Sequence, residues 1–510
     1  MPSPPALDLP EARLQRLLPE ALRAAVQQDP SPANLTRVLD HLRTLHHSLR
    51  QYLPRQVVEA PPAPGEIRHT WQDGTLMFTD LAGFTALIDA HVPQGPAGAD
   101  ALLEILNRYF TTMLEIIGNS GGQLLEFTGD ALLANFYGSE RASAIAHAVR
   151  AGLRLQRAMS KFVELPTRQG PISLHMRAGL HAGRYLAADV GTAHRMEHVL
   201  LGQAVTQAKA AEAAAEVGRV CLSKAAAGRV PGEFRLEPGQ DGRALVVDDF
   251  STAQLGEYDV APGRRRLPRA VLLDSSAAAL LAEIDRALHT LEPLAAFLPA
   301  AILEQLVESA ARRKIPPAFL APTVMFVNLI GLPQAVDRVQ PGELPGLVAA
   351  FSRLFTQINT AVEARGGVLK KVTCDHAGSD MVIYFGAPRP LPDDARQAAE
   401  AALAVQRLVR EFVGPNLGGR VLPTTCQVGL ARGWALAAEI GESRGRREFN
   451  VLGDVANTAA HLMNRAAPNE ILLTEFVYRE VRGEFECAAL PPMRLKGKAA
   501  PIQVYSLRGD

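Results

Sequence analysis

Hydrophobic and polar positions along this chain change period many times, and those changes predict its elements. Up to about residue 60, leucines recur at three- and four-residue spacing (Leu14, Leu17, Leu18, then Leu39, Leu42, Leu45), which predicts amphipathic helices. This stretch closes on Tyr52-Leu53-Pro54 and Val57-Val58-Glu59 and runs into the linker-like Ala60-Pro61-Pro62-Ala63-Pro64-Gly65. Nothing catalytic is visible in it, and a docked helical cap or a dimerising segment is the expectation. The apolar run from Thr75 to Thr79 predicts a short buried strand that ends at Asp80. Gly83-Phe84-Thr85 then turns the chain into an amphipathic segment that opens Ala86-Leu87-Ile88. Further on, Gly121 to Phe136 reads as a strand, a two-residue turn at Gly129-Asp130, and a second strand.

The same order of signals returns about 245 residues later, and a repeat of that length means duplicated domains rather than a solenoid. Phe297-Leu298-Pro299 with Ile302-Leu303-Glu304 echoes Tyr52 to Glu59, and Thr323 to Gly331 echoes the opening strand. Gly366-Gly367 through Lys371 echoes Gly121-Gly122 through Glu126, and Val451-Leu452-Gly453-Asp454 echoes Leu200-Leu201-Gly202-Gln203. The expected organisation is a helical segment over 1–64, a first domain over 65–250, a linker and helix over 251–314, and a second domain over 315–510. The linker carries Pro262-Gly263-Arg264-Arg265-Arg266, read as a solvated charge run. Each copy alternates strand and helix signals, which predicts an α/β (α+β) sandwich with a mixed, largely antiparallel sheet.

Composition narrows the class. The 510 residues are 47% hydrophobic, ample for well-filled cores. Fifty-three Lys and Arg balance fifty-three Asp and Glu, so no global positive field favours nucleic acid or anionic membrane, and small molecules or proteins are the expected partners. Cys221, Cys374, Cys426 and Cys487 lie far apart, without metal-ligand spacing, as suits a reducing cytoplasm. Neither a secretory leader nor a run of about 18 apolar residues is present, so a cytoplasmic protein without a membrane span is expected.

The candidate chemistry begins with two carboxylates. Asp80 at a strand end and Asp130 at a hairpin tip can sit side by side, an arrangement suited to Mg²⁺, which binds through one or two carboxylates plus substrate phosphates. Taken singly, Asp80 reads equally well as a helix cap, and Lys371 and Arg177 as surface residues. No GxxxxGK[ST] phosphate loop occurs. The second copy has Asn328 where Asp80 stands, and a longer hairpin from Thr373 to Asp380 without an aligned Gly-Asp, so metal binding is expected in the first domain alone. Conversely Lys371 replaces Glu126, and Asn450 and Asn457 flank Gly453.

Phe78-Thr-Asp80-Leu-Ala-Gly83-Phe84-Thr85, followed by Phe127-Thr-Gly129-Asp130, resembles the class III nucleotidyl cyclases. The tandem arrangement is most similar to the soluble, bicarbonate-responsive adenylyl cyclases. The resemblance implies two ferredoxin-like domains set head to tail as a pseudo-heterodimer, with one site that makes 3′,5′-cyclic AMP and pyrophosphate from ATP. It implies two Mg²⁺ or Mn²⁺ ions on Asp80 and Asp130, with Leu81 beside them, and nucleotide contacts from Phe84, Thr85 and Arg177. It further implies base reading by Lys371 and Asn450 and ribose orientation by Asn457. Apart from the resemblance, Lys370 beside Lys371 reads as a surface strand lysine. The family places an Arg four residues after the ribose Asn, where this chain has His461, shorter and, as an ordinary imidazole at pH 7, largely uncharged. Arg465 lies one further turn along. A cyclase-like nucleotide-binding protein without turnover is therefore the alternative. The second cleft offers Val199, Thr206 and Ala210, with Glu126 and Lys209 where relatives hold bicarbonate; a Glu126–Lys209 ion pair is expected there instead.

Overall fold

The computed structural model describes residues 11–138, 141–255, 276–312, 314–375, 378–442, 445–495, 498 and 500–509. The arginine run at 264–266, the hairpin residues 376–377 and residues 496–497 and 499 of the closing loop lie outside the described residues. The chain begins with helices α1 (Glu11–Leu17), α2 (Glu20–Gln28), α3 (Pro32–Tyr52) and α4 (Arg55–Glu59). The first α/β unit follows: β1 (Arg68–Ala82), α5 (Phe84–His91), α6 (Gly95–Asn119), β2 (Gly122–Thr128), β3 (Ala131–Phe136), α7 (Arg141–Ala158), β4 (His175–Gly191), β5 (Met196–Leu201) and α8 (Gln203–Ala213). It ends in β6 (Val220–Leu222), α9 (Lys224–Ala227), β7 (Leu236–Pro238), β8 (Ala244–Val246) and α10 (Thr252–Leu255).

After α11 (Ala277–Ala295) and α12 (Ala300–Ser309), the second unit repeats the plan. It contains β9 (Ala318–Leu320), β10 (Thr323–Ile330), α13 (Leu332–Ala335), α14 (Leu344–Glu363), β11 (Val368–Asp375), β12 (Gly378–Phe385) and α15 (Asp394–Glu411). A small hairpin of β13 (Asn416–Leu417) and β14 (Arg420–Val421) leads to β15 (Thr425–Arg432), β16 (Ala435–Gly441), β17 (Arg447–Leu452) and α16 (Asp454–Arg465). Last come β18 (Glu470–Thr474), α17 (Glu475–Val481), β19 (Glu486–Met493) and β20 (Ile502–Gly509). None of the described helices is long and apolar enough to cross a membrane.

The sheets run β2-β3-β1-β4 and β11-β12-β10-β15 before their edge strands, the same order in both units and the ferredoxin-like one. The duplication extends to the helices. α3 and α11 each lead through Leu-Pro into a short helix, with Pro54 and Pro299 preceding α4 and α12, where a fixed φ suits helix entry. The apolar faces of α3 and α11 bury Leu35, Leu42 and Leu49 beside Leu280, Ile284 and Leu288 in one cluster. The N-terminal leucines are thus covered by the chain's own linker helix.

β1 is longer than the apolar run at its core. It extends from Arg68, pairing with β4 all the way, so Asp80 lies within the strand, opposite Arg177, rather than at its end. The outer half, His69 to Gly74, is half-buried to exposed and mostly polar; pairing with β4, Trp71 packed on the second core and Gln72 bonded to Tyr185 and Gln56 hold it. In the second unit the matching strand is broken at Pro322, which has no N–H to give a ladder, into β9 and β10.

The units grip each other reciprocally. Leu436, Ala438 and Ile440 of β16 enter the core of the first unit, while Leu186, Ala188 and Val190 of β4 enter that of the second. Helix packing beneath each ribbon depends on a glycine. A Cβ on Gly429 would lie 2.2 Å from the Ala459 carbonyl oxygen and 2.4 Å from the Met463 amide nitrogen, both on α16. Gly179 plays the same part under α8. Gly429→Ala is expected to destabilise the fold by about 1–3 kcal/mol, the usual cost of overpacking. An unchanged melting temperature in calorimetry would show that α16 is not seated as described.

Candidate active site

Asp80 is brought to the cleft by β1 and Asp130 by the β2–β3 hairpin, whose turn uses Gly129 at φ 67°, a left-handed conformation suited to glycine. Arg177 faces Asp80 across the β1–β4 ladder, its Nη2 2.5 Å from Asp80 Oδ2 and its Nε 3.0 Å from Glu212 Oε1. The guanidinium therefore already bridges two carboxylates. Asp130 is pushed up to about 8, first by burial and then by the neighbouring Asp80 charge. Beneath both, the Tyr109 hydroxyl is buried without a hydrogen-bond partner among the described residues, and both aspartates act on it.

This carboxylate pair fits a cation. A raised Asp130 marks negative charge left without enough compensation, which a bound divalent ion would relieve. Among the described residues no group of three or more His, Cys, Asp or Glu side chains converges, so substrate phosphates and water must complete any coordination shell, as Mg²⁺ commonly requires. The Leu81 and Phe84 side chains are buried, at 5% and 4% exposure, leaving only their backbone groups for an ion or a phosphate. Thr85 is half-buried at the start of α5, which Gly83 opens at φ 91°. Backbone N–H groups there have no helical partner.

The second unit reaches across the boundary through Lys371. Its ammonium donates to the Phe127 carbonyl, three residues before Asp130, and lies 3.3 Å from Glu448 Oε1. A β-bulge between Leu369 and Lys371 leaves Lys370 unpaired in the ladder, and both lysines converge on Glu448. Strict strand alternation puts neighbours on opposite faces, but a bulge re-aims one of them. Lys370, expected at the surface, is instead buried, at 7% exposure, bonded to Glu448 and Asn450. Burial would raise the Glu448 carboxyl, yet Lys370, Lys371 and Arg446 hold it down at about 2. Burial also lowers Lys370 to about 8, against the opposing pull of Glu448.

Glu448 and Glu212 were absent from the sequence expectations. Glu448 lies two residues before Asn450 on β17, hence on the same strand face, a signal that was readable. Glu212 meets Arg177 only through the packing of α8 on β4, which no local pattern announces. Asn457, His461 and Arg465 lie four residues apart on α16; Asn457 and Arg465 are exposed and His461 half-buried.

The second cleft differs. Asn328 is fully buried and donates to Gln427 Oε1 at 2.9 Å. A Cβ on Gly378 would come within 2.0 Å of the Leu329 carbonyl oxygen and 2.3 Å of Asn328 Oδ1, so the start of β12 packs directly against that position. For Glu126, whose carboxyl burial pushes up, the principal compensating charge is Lys371, with Lys209 second. The Lys371 charge comes from the second unit, and the Lys209 charge expected to pair with Glu126 acts on it as well. Lys209 lies 5.4 Å from the Phe78 ring centroid.

Tyr52 and Gln51 tie the N-terminal helices to this region. Tyr52 donates to Glu439 Oε2 at 2.5 Å, Arg447 bonds both Glu439 and the Gln51 side chain, and Arg446 bonds the Tyr52 carbonyl. The family model for the adenylate and guanylate cyclase catalytic domain matches residues 68–242 and again 318–509. The chain belongs to this cyclase family. Its two cyclase domains are similar to adenylate cyclase type 10 of Mus musculus, 25% identical over 485 residues, which covers 90% of this chain and 28% of that protein. The chain thus spans little more than a quarter of that relative. An adenylate cyclase of Mycobacterium tuberculosis is 28% identical over 205 residues, 40% of this chain and 43% of its own. Among solved structures, a class III adenylyl cyclase-like ATP-binding protein from Pseudomonas aeruginosa superimposes with a TM-score of 0.53 at 13% identity, over 87% of this chain and 93% of that one. That likeness shows the fold of the tandem cyclase domains and no more.

Proposed function

We propose that this chain is an adenylyl cyclase that converts ATP to 3′,5′-cyclic AMP and pyrophosphate at a single site between its domains. The observation that carries this reading is Lys371 of the second domain bonded to Phe127, on the strand leading to Asp130 of the first. One cleft thereby draws on both halves of the chain. Divalent cations, Mg²⁺ or Mn²⁺, held by Asp80, Asp130 and the Leu81 carbonyl, would supply Lewis-acid polarisation of the α-phosphate and the attacking hydroxyl. The first amides of α5, at Phe84 and Thr85, suit the terminal phosphates. Arg177, fixed between Asp80 and Glu212, has N–H groups left to donate to the triphosphate. Lys371 and Asn450 read the base, Asn457 orients the ribose, and His461 faces the charge that develops on the α-phosphate.

The test is cyclic AMP formation by the purified chain with ATP and Mn²⁺, then Mg²⁺, run beside GTP. Product above a heat-killed control supports the reading; its absence with ATP binding retained in calorimetry turns it to the second reading. That second reading, a nucleotide-binding protein without turnover, rests on His461, which replaces a permanently charged guanidinium by an imidazole.

A further inference from the structure

The two units are joined by a crossed clasp. Arg446 of the second unit donates to the Tyr52 carbonyl, at the end of the helix that leads into the first. Arg195 of the first unit donates, at 3.3 Å, to the Phe297 carbonyl, at the end of the helix that leads into the second. Strand register makes the two halves of the clasp equivalent. Ala438 faces Asn450 as Ala188 faces Val199, so Arg446 matches Arg195, Arg447 matches Met196 and Glu439 matches Asp189.

The side chains around the clasp are not alike. On the second ribbon Tyr52 donates to Glu439, and Arg447 bonds both Glu439 and Gln51; all four residues are between 4% and 8% exposed. On the first ribbon the matching residues are Phe297, Asp189, Met196 and Ala296, and Asp189 turns to His198 and Arg68 instead. That apolar version holds its half of the clasp, and buried ion pairs are often replaceable by apolar residues without loss of stability. Charge-assisted hydrogen bonds add a fixed distance and direction. The ribbon they fix lies between the units. Leu436, Ala438 and Ile440 on one face of β16 enter the first core, while Glu439 on the other face meets Tyr52. Next to Arg447, Glu448 is bonded by Lys370 and Lys371, and Lys371 donates to the Phe127 carbonyl on the strand leading to Asp130.

We propose that Tyr52 is a positioning residue for the cyclase site: through Glu439 and Arg447 its hydroxyl holds the β16–β17 ribbon, and with it Glu448 and Lys371, in register with the Asp130 hairpin of the first domain. This rests on the reading of Asp80 and Asp130 as the metal half of the site and of the second domain as its nucleotide half. Burial and the Glu439 charge raise the Tyr52 phenol well above its ordinary value, so it stays a donor. Gln51 and Tyr52 lie outside the two segments that match the cyclase family model, so the site draws on the helical entry as well as on both catalytic domains. Displacements of about 1 Å far from the chemistry are enough to matter in such a site.

The test measures how far Mn²⁺ and nucleotide assist each other's binding, which requires both halves in register and no turnover. Displacement of a fluorescent nucleotide by 3′-deoxy-ATP, which lacks the attacking hydroxyl, is read in EDTA and in saturating Mn²⁺. Tyr52→Phe keeps the ring and is expected to reduce the Mn²⁺-dependent tightening by about tenfold, the effect of one hydrogen bond to a charged group. Affinity in EDTA, and Mn²⁺ affinity without nucleotide, should stay within about threefold of wild type, because each is a property of one half. Glu439→Gln, which disturbs Arg447, should reduce the tightening likewise, and adding it to Tyr52→Phe should change little, since both act through one group. Leu42→Ala, fully buried elsewhere on α3, should lower the melting temperature more than Tyr52→Phe and leave the tightening unchanged. Tightening preserved in Tyr52→Phe, or lost equally in Leu42→Ala, overturns the inference alone. Nucleotide that binds the wild type no better in Mn²⁺ than in EDTA overturns the metal-site reading and this inference with it.

Discussion

Asp130→Asn is expected to lower cyclic AMP formation about 10³-fold while leaving the melting temperature within a few degrees of wild type. Losing a carboxylate ligand removes several kcal/mol of transition-state charge stabilisation, and each 1.36 kcal/mol is a factor of about ten. The substitution removes a carboxyl that burial, and then the neighbouring Asp80 charge, pushes up to about 8, so no loss of fold is expected from it. The same shift predicts a pH dependence. Below about pH 8 Asp130 holds a proton in the absence of a cation, and binding must expel it. Mn²⁺ affinity should therefore rise by up to ~tenfold per pH unit as the pH climbs toward that value, then level off. In Asp130→Asn that slope should vanish. Titrating Mn²⁺ by calorimetry between pH 6 and 9 tests both statements, and an equal slope in the two proteins would remove Asp130 from the metal site.

His461→Arg is the second large effect, and it goes the other way. Arginines that stabilise charge in phosphoryl transfer contribute roughly 10³ to 10⁵ in rate, so even partial restoration on α16 should raise kcat by about 10². KM should change little, because the interaction forms only as charge develops. Arg465 occupies the next turn of the same helix and is exposed, free to swing toward the cleft. Arg465→Ala should accordingly lower wild-type turnover, and by less in the His461→Arg background. Unchanged kcat in both single variants would mean that this face of α16 does not border the reacting phosphate. The two predictions separate the metal half of the cleft from the nucleotide half.

Much of this architecture was legible because its signals are local. The leucine spacing of α3 and α11, the glycines that open α5 and turn the Asp130 hairpin, and the recurrence of Leu-Pro before α4 and α12 are each written in a few adjacent residues. The sheet order followed from the duplication and the resemblance together. Two expectations failed where pairing overrode pattern. β1 runs far beyond its apolar core because β4 supplies hydrogen bonds to a polar stretch, and Lys370 is interior because a bulge suspends strand alternation.

By itself, then, the sequence determined the two repeated domains, their helical entries, and the opposite divergence that leaves Asp80 and Asp130 to the first copy and Lys371 and Asn450 to the second. Each of these depends on residue type at a position set by short-range backbone preference. Tertiary structure alone decided that Arg177 bridges Asp80 and Glu212, that Gly378 of β12 packs on Asn328, and that Lys370 bonds Asn450. Those contacts join residues tens of positions apart, and their geometry comes from a bulge, a helix seated on a glycine, and strands paired across a sheet. In such places burial leaves charged and polar groups no water to bond, so each must find its partner across the fold.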